Sequence, residues 1–457
     1  MELDTIAAIS TPIGEAGIAI IRISGDLAIE IIDSLFKGKV KLSNVNSHTV
    51  HYGFIKDKND NILDEVLVTV MRAPKTFTKE DVVEVNCHGG ITVVSKVFTT
   101  IIENGARIAE PGEFSKRAFL NGRIDLSQAE AIIDLIRSKT DRSTKVALKQ
   151  IEGELSKKIK NIRENILEIL AFIEVNIDYP EHDIDEVSYE YLLETISSIK
   201  NEISFLLEHS NEGKILREGL SIAIIGRPNV GKSSLLNVMT KENRAIVTDV
   251  PGTTRDIIEE YINIKGIPLK LIDTAGIRRT EDIVERLGVE KSKKVLLEAD
   301  LVLLVFNNNE SLIDEDLELL DLLIDNKVIV VINKIDLPKK IEDNLIKNKL
   351  KNVNFIYTSL IFGKGITDLE NAIEELFFTG GISSDDLTYV SNSRHIILLK
   401  RAESNLCDAI KAIEELIPID IVSIDINNTY ETLGEIIGES IDEDLANQIF
   451  SKFCVGK

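Results

Sequence analysis

The sequence predicts a multidomain chain of α/β and all-α parts, with an N-terminal α/β domain and a helical domain interrupted by a doubly wound α/β domain. Three observations lead there. Strand-like runs alternate with helical spacing over 1–118 and again over 219–379, whereas 119–218 and 380–457 carry helical spacing alone. The runs Leu301–Phe306 and Val328–Ile332 have no polar interruption, as suits strands covered on both faces. At 457 residues the chain also exceeds the size at which one core stops growing.

In the first domain, Thr5–Ser10 and Ile18–Ile23 are short apolar runs punctuated by Gly14, Gly17 and Gly25, and Thr49–Ile55, Val66–Met71 and Val82–Val85 add strands. Leu27–Phe36 and Thr92–Ile102 carry helical spacing between them. From about Ser127 long helices take over: Ile159, Ile162, Ile166, Ile169, Leu170 and Ile173 recur at threes and fours, as do Leu192, Ile196, Ile199, Ile203 and Leu206. Pro180 and the acidic stretch Glu181–Glu186 separate the two. Leu399, Ala402, Leu406, Ile410, Ile413 and Ile417 resume the pattern. Two arrangements are open: one helical domain split by the insert, or two separate bundles. The first is simpler, because short helices bury apolar faces best against one another. Within the insert, strands are expected at Ser221–Ile225, Ile257–Ile264, Leu269–Ile272, Leu301–Phe306, Val328–Ile332 and Asn354–Thr358, the pair around Gly266 forming an antiparallel edge hairpin.

Composition narrows the class. A net charge of −23 argues against coating nucleic acid by bulk electrostatics and leaves a local basic site open. The acidic start Met1-Glu2-Leu3-Asp4 is unlike a secretory signal, and the strongest apolar run is far too short to span a membrane. Three cysteines make neither a disulfide framework nor a four-ligand metal site, so a reducing cytoplasmic home is expected. The adjacent Cys87 and His88 have no second pair to complete a zinc site.

Gly226-Arg227-Pro228-Asn229-Val230-Gly231-Lys232-Ser233 fits the P-loop pattern, after a strand and before the helical Ser234–Met239. Backbone N–H groups from Asn229 to Ser234 would curl around phosphates that the helix N-terminus also favours. Lys232 would place its ammonium on the β- and γ-phosphates, and Ser233 would ligate Mg²⁺. Asp273-Thr274-Ala275-Gly276 ends a strand, where a carboxylate can hold the Mg²⁺ shell through water and the Gly276 N–H can reach the γ-phosphate. Upstream, Gly252-Thr253-Thr254-Arg255-Asp256 lies in a loop from which one threonine should complete the Mg²⁺ coordination.

Asn333-Lys334-Ile335-Asp336 follows a buried strand. An ionised Asp336 suits guanine N1–H and its exocyclic amine, whereas adenine leaves the carboxylate unpaired, a mismatch that can reject the wrong base by about 10⁴-fold. Lys334 would lay its stem along the base. GTP is therefore expected as substrate. The Ser-Ala-Lys/Arg loop of many GTPases reads Thr358-Ser359-Leu360, so only backbone contact to the base is expected there. Ile277 stands where Ras-type switches carry a water-positioning glutamine. Asn229 and the oxygen-rich loop Thr248, Asp249, Val250, Pro251, Gly252, Thr253, Thr254 could coordinate a monovalent cation beside the phosphates; the alternative is that Asn229 only braces its loop.

The order of these motifs, with Gly17-Ile18-Ala19-Ile20-Ile21-Arg22-Ile23-Ser24-Gly25, His88-Gly89-Gly90, Pro111-Gly112-Glu113-Phe114-Ser115, Arg117-Ala118-Phe119-Leu120-Asn121 and the tail Phe453-Cys454-Val455-Gly456-Lys457, resembles the MnmE (TrmE) family of tRNA modification GTPases. The resemblance spans essentially the whole chain. It implies an N-terminal folate-binding and dimerisation domain at 1–118, a helical domain at 119–218 and 380–457, and a Ras-like P-loop G domain at 219–379. It further implies a cytoplasmic homodimer that joins an FAD-containing MnmG subunit in a heterotetramer. A 5,10-methylene- or 5-formyl-tetrahydrofolate would donate one carbon toward an aminomethyl-type (carboxymethylaminomethyl) group on C5 of a tRNA wobble uridine.

The family's folate residues fall on Arg22, Glu84, Arg123 and Lys457, Arg123 standing where some members carry lysine. Its potassium ligands match Asn229, Thr248, Val250 and Thr253, its Mg²⁺ ligands Ser233 and Thr254, and its water-orienting residue Glu285, so Glu285, Lys232 and Thr254 are the catalytic candidates. In the family, dimerisation of the inserted domains drives hydrolysis. Cys454 is either a chemical participant or a small tail residue near the folate pocket. The competing reading is a GTPase switch in ribosome or RNA assembly without transfer chemistry.

Overall fold

The computed structural model describes residues 4–178, 189–242, 246–247, 260–272, 296, 298–351, 353–378, 390–441 and 443–456. The N-terminal sheet comprises β1 (Ile6–Ile9), β2 (Ala19–Ser24), β3 (Phe36–Gly38), β4 (Thr49–Lys56), β5 (Ile62–Met71), β6 (Val82–Cys87) and β7 (Arg107–Ile108), in the order β3-β4-β5-β6-β2-β1-β7. All neighbours are antiparallel except β1 and β7. The helices Ala28–Leu35 and Ile91–Glu103 cover one face, where Ile29, Ile32, Val97 and Ile101 meet Val68, Val83 and Val85. Alternation sends the other residues of each strand to the opposite face. Arg22, Glu84, Thr69 and Val50 share one cross-strand row there, and Val50, Tyr52 and Leu67 are exposed.

Helical spacing carries through Phe36, yet Phe36 turns extended and opens β3. Its ring lies over Gly38 and Gly53, where an added Cβ would come within 2.3 and 2.5 Å of ring atoms. Two glycines facing one another across the β3–β4 pair make that packing affordable to the chain, and tertiary contact overrides local periodicity.

The inserted sheet comprises β8 (Leu220–Ile225), β9 (Ile246–Val247), β10 (Glu260–Ile264), β11 (Ile267–Leu271), β12 (Leu301–Asn307), β13 (Val328–Asn333) and β14 (Asn354–Tyr357), in the order β14-β13-β12-β8-β11-β10-β9. Strands β14 to β11 of that order run parallel, β10 is antiparallel to β11, and β9 is antiparallel to β10. The expected hairpin is present, with Ile264 opposite Ile267 around Lys265 and Gly266, both at positive φ. All seven residues of β12 are buried: Leu301, Leu303 and Val305 face the layer that includes Leu235, Leu236 and Ile373, and Val302, Leu304 and Phe306 face Leu320 and Ile346. This is the doubly wound arrangement read from the uninterrupted apolar runs.

The helices Glu154–Asp178, Tyr189–Glu208, Ser393–Glu414 and Ile419–Ile437 share one core. Ile159, Ile166, Ile196 and Ile203 from before the insert meet Leu399, Leu406, Ile426 and Leu433 from after it. The helical segments on either side of the insert therefore pack together rather than as two bundles. Among the described residues, no helix is long and apolar enough to cross a membrane.

Leu399 is fully buried between the two halves. Replacing it by alanine is expected to lower the unfolding free energy by about 2–5 kcal/mol, measured as a shifted denaturant midpoint; a loss below about 0.5 kcal/mol would deny the shared core.

Candidate functional site

Strand β8 delivers the chain to Gly226 beside β12. At φ +149 a Cβ on Gly226 would come 2.3 Å from the Val305 carbonyl oxygen, so only glycine turns there. Asn229 and Gly231 also have positive φ, at +62 and +107, which curls the backbone into a loop. Val230, fully buried, anchors that loop in the core, and the helix Lys232–Glu242 follows. The Lys232 ammonium donates to the Gly226 and Arg227 carbonyls at 2.7 and 2.6 Å, and burial holds its pKa below the usual lysine range. Arg227 braces the loop from outside through Glu310 and Asp316, at 3.3 and 3.0 Å. Ser233 and Ser234 stand exposed in the first helical turn. Curled amides, a half-buried ammonium, an exposed serine and a helix N-terminus together make a cradle that fits a magnesium-bound polyphosphate.

The second loop grows from β13. Asn333 is buried at its end and donates from Nδ2 to the Val230 carbonyl at 2.9 Å, while its Oδ1 accepts from Thr358 Oγ1 at 3.3 Å. Lys334, at φ +63, donates to the Asn229 carbonyl at 2.8 Å. Asn333 therefore links three loops. Asp336 is exposed, and its Oδ1 accepts from Ser359 Oγ at 2.5 Å. Sequence reasoning left Ser359 only a backbone role; its hydroxyl in fact orients the carboxylate. Thr358 and Ser359 are buried, and Leu360 lies near Gly231. The Ile335 N–H donates to the Thr358 carbonyl, which ties the two loops to one another.

A second locus forms on the open face of the N-terminal sheet. Arg22 of β2 and Glu84 of β6 are register partners and pair at 2.8 Å. Arg22 also donates to the Gly456 carbonyl at 3.3 Å, although the two are 434 residues apart in sequence. Ser10 Oγ donates to the same carbonyl, and the Gly112 N–H donates to the Cys454 carbonyl. Gly456 has φ +90, and a Cβ there would sit 2.9 Å from the Ile9 carbonyl oxygen. The tail is anchored by Phe450 and Phe453, which pack with Leu126 and Ala129. Arg123 stacks over Phe77 at 4.9 Å, and burial pulls its pKa down. Phe77 borders the cluster of Ile6, Ala8, Ala109 and Phe114, and Arg22 lies 5.9 Å over the Phe114 ring. Arg22 and Arg123 thus border one buried apolar cluster, and Arg22 brings Glu84 and the tail beside it. Ser10 and Gly112 escaped sequence reasoning, since nothing local marks a carbonyl acceptor from the far end of the chain.

Cys454 is exposed, whereas Cys87 is buried and its thiol is pushed up to about 11 by burial. His88 pairs with Asp64 at 2.7 Å, which raises its pKa. Among the described residues no group of three or more His, Cys, Asp or Glu side chains could hold a metal. Thr248, Asp249, Val250, Pro251, Gly252, Thr253, Thr254, Asp273, Thr274, Ala275, Gly276, Glu285 and Lys457 lie outside the described residues.

Two family models match the chain: GTP-binding protein TrmE N-terminus over residues 5–123, and MnmE helical domain over residues 126–454. The protein named tRNA modification GTPase MnmE of Bacillus pumilus is 58% identical over 459 residues, covering 100% of each chain. Those of Bacillus subtilis and Staphylococcus haemolyticus are 57% and 56% identical with the same coverage. Among solved structures, the G domain of the T. maritima FeoB iron transporter is 31% identical and covers 34% of this chain and 97% of its own, at a TM-score of 0.25. With matches of that strength over its whole length, the chain belongs to the MnmE family of tRNA modification GTPases.

Proposed function

We propose that this GTPase hydrolyses GTP in its inserted domain and, with a tetrahydrofolate one-carbon donor, modifies C5 of the wobble uridine of tRNA. The observation that carries the first half is the Asn333 amide, which fixes the phosphate loop against the loop bearing Asp336. Phosphate cradle and guanine-selecting carboxylate are then held at a set separation, as a guanine nucleotide requires. Lys232 neutralises charge at the β- and γ-phosphates, and Glu285 orients the attacking water. Magnesium on Ser233 and Thr254, and potassium on Asn229, Thr248, Val250 and Thr253, supply further charge neutralisation when bound.

The second half is supported by the tail docked at Arg22. Arg22, Glu84, Arg123 and Lys457 would bind 5,10-methylene- or 5-formyl-tetrahydrofolate: cations for its glutamate carboxylates, and the Glu84 carboxylate for N–H groups of its pterin. The product is an aminomethyl-type, carboxymethylaminomethyl group, built with an FAD-containing MnmG subunit in a heterotetramer. A homodimer is supported by Val50, Tyr52 and Leu67, exposed on the sheet face that carries Arg22 and Glu84. Pairing of two inserted domains then drives hydrolysis. Three cysteines and no apolar spanning helix among the described residues suit a cytoplasmic enzyme. Domain limits are placed at 118, 218 and 379.

Asp336→Asn is expected to abolish the preference for GTP over ATP, measured with fluorescent nucleotides; a preference that survives would refute the assignment of Asp336. The protein should bind 5-formyl-tetrahydrofolate in a calorimetric titration, and Arg22→Ala should weaken binding at least about tenfold. No binding by the unmodified protein would leave only a GTPase switch. Turnover should be faster in KCl than in NaCl and should drop in Glu285→Ala with nucleotide affinity retained. Equal rates in the two salts would remove the potassium site, and unchanged turnover would remove Glu285.

A further inference from the structure

The β10–β11 hairpin stands, in sequence, between the two loops assigned to the γ-phosphate side, 248–256 and 273–276. Its tip rests on the helical domain. A Cβ on Gly266 would lie 2.8 Å from the stem carbons of Arg142, the second residue of the helix Asp141–Ile151. Arg142 donates to Glu374 at 3.0 Å, and Lys265 at the hairpin tip donates to the other oxygen of the same carboxylate at 2.9 Å. Arg142 also lies 5.9 Å over the Phe378 ring, and Lys139 lies 5.5 Å over the ring of Tyr261 in β10.

The far side of this contact leads to the tail. Gln128 donates to the Ile151 carbonyl at 2.8 Å, tying the helix Asp141–Ile151 to the helix Leu126–Arg137. Leu126 and Ala129 of that second helix pack under Phe450 and Phe453, just ahead of Gly456 and its bond to Arg22. The same helix grips the chain where it enters and leaves the insert. Asp134 pairs with Arg217 at 2.7 Å, and Glu130 pairs with Arg394 at 2.7 Å and with the fully buried His395 at 2.8 Å.

These two sets of contacts differ in strength. Breaking a buried pair strands a charge and is costly, so Glu130 and Asp134 hold the crossings as fixed points. The cations of the Arg142–Glu374–Lys265 contact are more exposed than those of the crossings, so it costs less to open while the crossings stay closed. We propose that Arg142 is a positioning residue that couples the nucleotide in the inserted domain to the tail docked at Arg22, by seating the hairpin in one nucleotide state and releasing it in the other. This rests on the GTP reading above.

Cys454 is an exposed reporter in the tail, and buried Cys87 is an internal control. Its alkylation rate, followed by mass spectrometry of its peptide in the full-length protein, should differ at least about fivefold between a non-hydrolysable GTP analogue and GDP. In Arg142→Ala, and independently in Glu374→Gln, that ratio should fall to near one with GTP affinity and basal turnover unchanged. Combining Arg142→Glu with Glu374→Arg should restore it, which a merely structural role would not do. A wild-type ratio of one in protein that binds GTP, or an undiminished ratio in both single variants, overturns the proposal. Protein that binds no guanine nucleotide overturns the GTP reading itself, and this inference with it.

Discussion

One buried hydrogen bond, from the Asn333 amide to the Val230 carbonyl, sets the order of the nucleotide site. The phosphate loop leaves β8 and the base loop leaves β13, with β12 between them. Two strand spacings are about 10 Å, too far for the loops to meet through their backbones. A short amide side chain closes that gap from the base side, and Lys334 adds a second link to Asn229. Losing the Asn333 bond would strand a buried carbonyl at about 1–3 kcal/mol, whereas the Lys334 link is exposed and worth less. Gly231 follows from the same constraint, because a Cβ there would fall 2.3 Å from the Asn333 amide nitrogen.

The N-terminal locus depends on a different constraint, the docking of a tail that is remote in sequence. Phe450 and Phe453 supply the apolar anchor, and the polar end is a carbonyl that Gly456 can present only because it lacks a side chain. The signature Arg117–Asn121 is scaffolding for this region. Arg117 is almost fully buried among Asp4, Glu80 and Glu113, Phe119 packs near Phe450, and Asn121 donates to the Thr78 carbonyl. The Arg123 N–H then bonds to the Ala118 carbonyl, which brings the Arg123 guanidinium over Phe77. This signature thus works by holding its neighbour in place.

Among the described residues, nucleotide site and tail are joined by the helical domain. Its core is built from segments on both sides of the insert, so the inserted domain enters and leaves at points already fixed by burial. The more exposed hairpin contact at Arg142 is the compliant element of the coupling proposed above. Rigid crossings beside a breakable contact are what a moving domain needs if its motion is to reach a distant site.

Elements whose signal is local could be read directly from the order of residues. Strands β8, β12 and β13 were legible because burial on both faces forces uninterrupted apolar residues, and the long helices because one buried face recurs every three or four residues. The phosphate-loop turn was legible because its glycines, lysine and serine stand at short spacing between a strand and a helix, where the structure curls them into one loop. The remaining features come from packing between distant parts of the chain. Phe36 became a strand through two glycines, one of them on a neighbouring strand, and Ser359 gained its role from a carboxylate on another loop. The meeting of Arg22 with Gly456 depends on packing between opposite ends of the chain. Such contacts leave no periodicity, because each residue's partner is fixed by the fold and not by its neighbours.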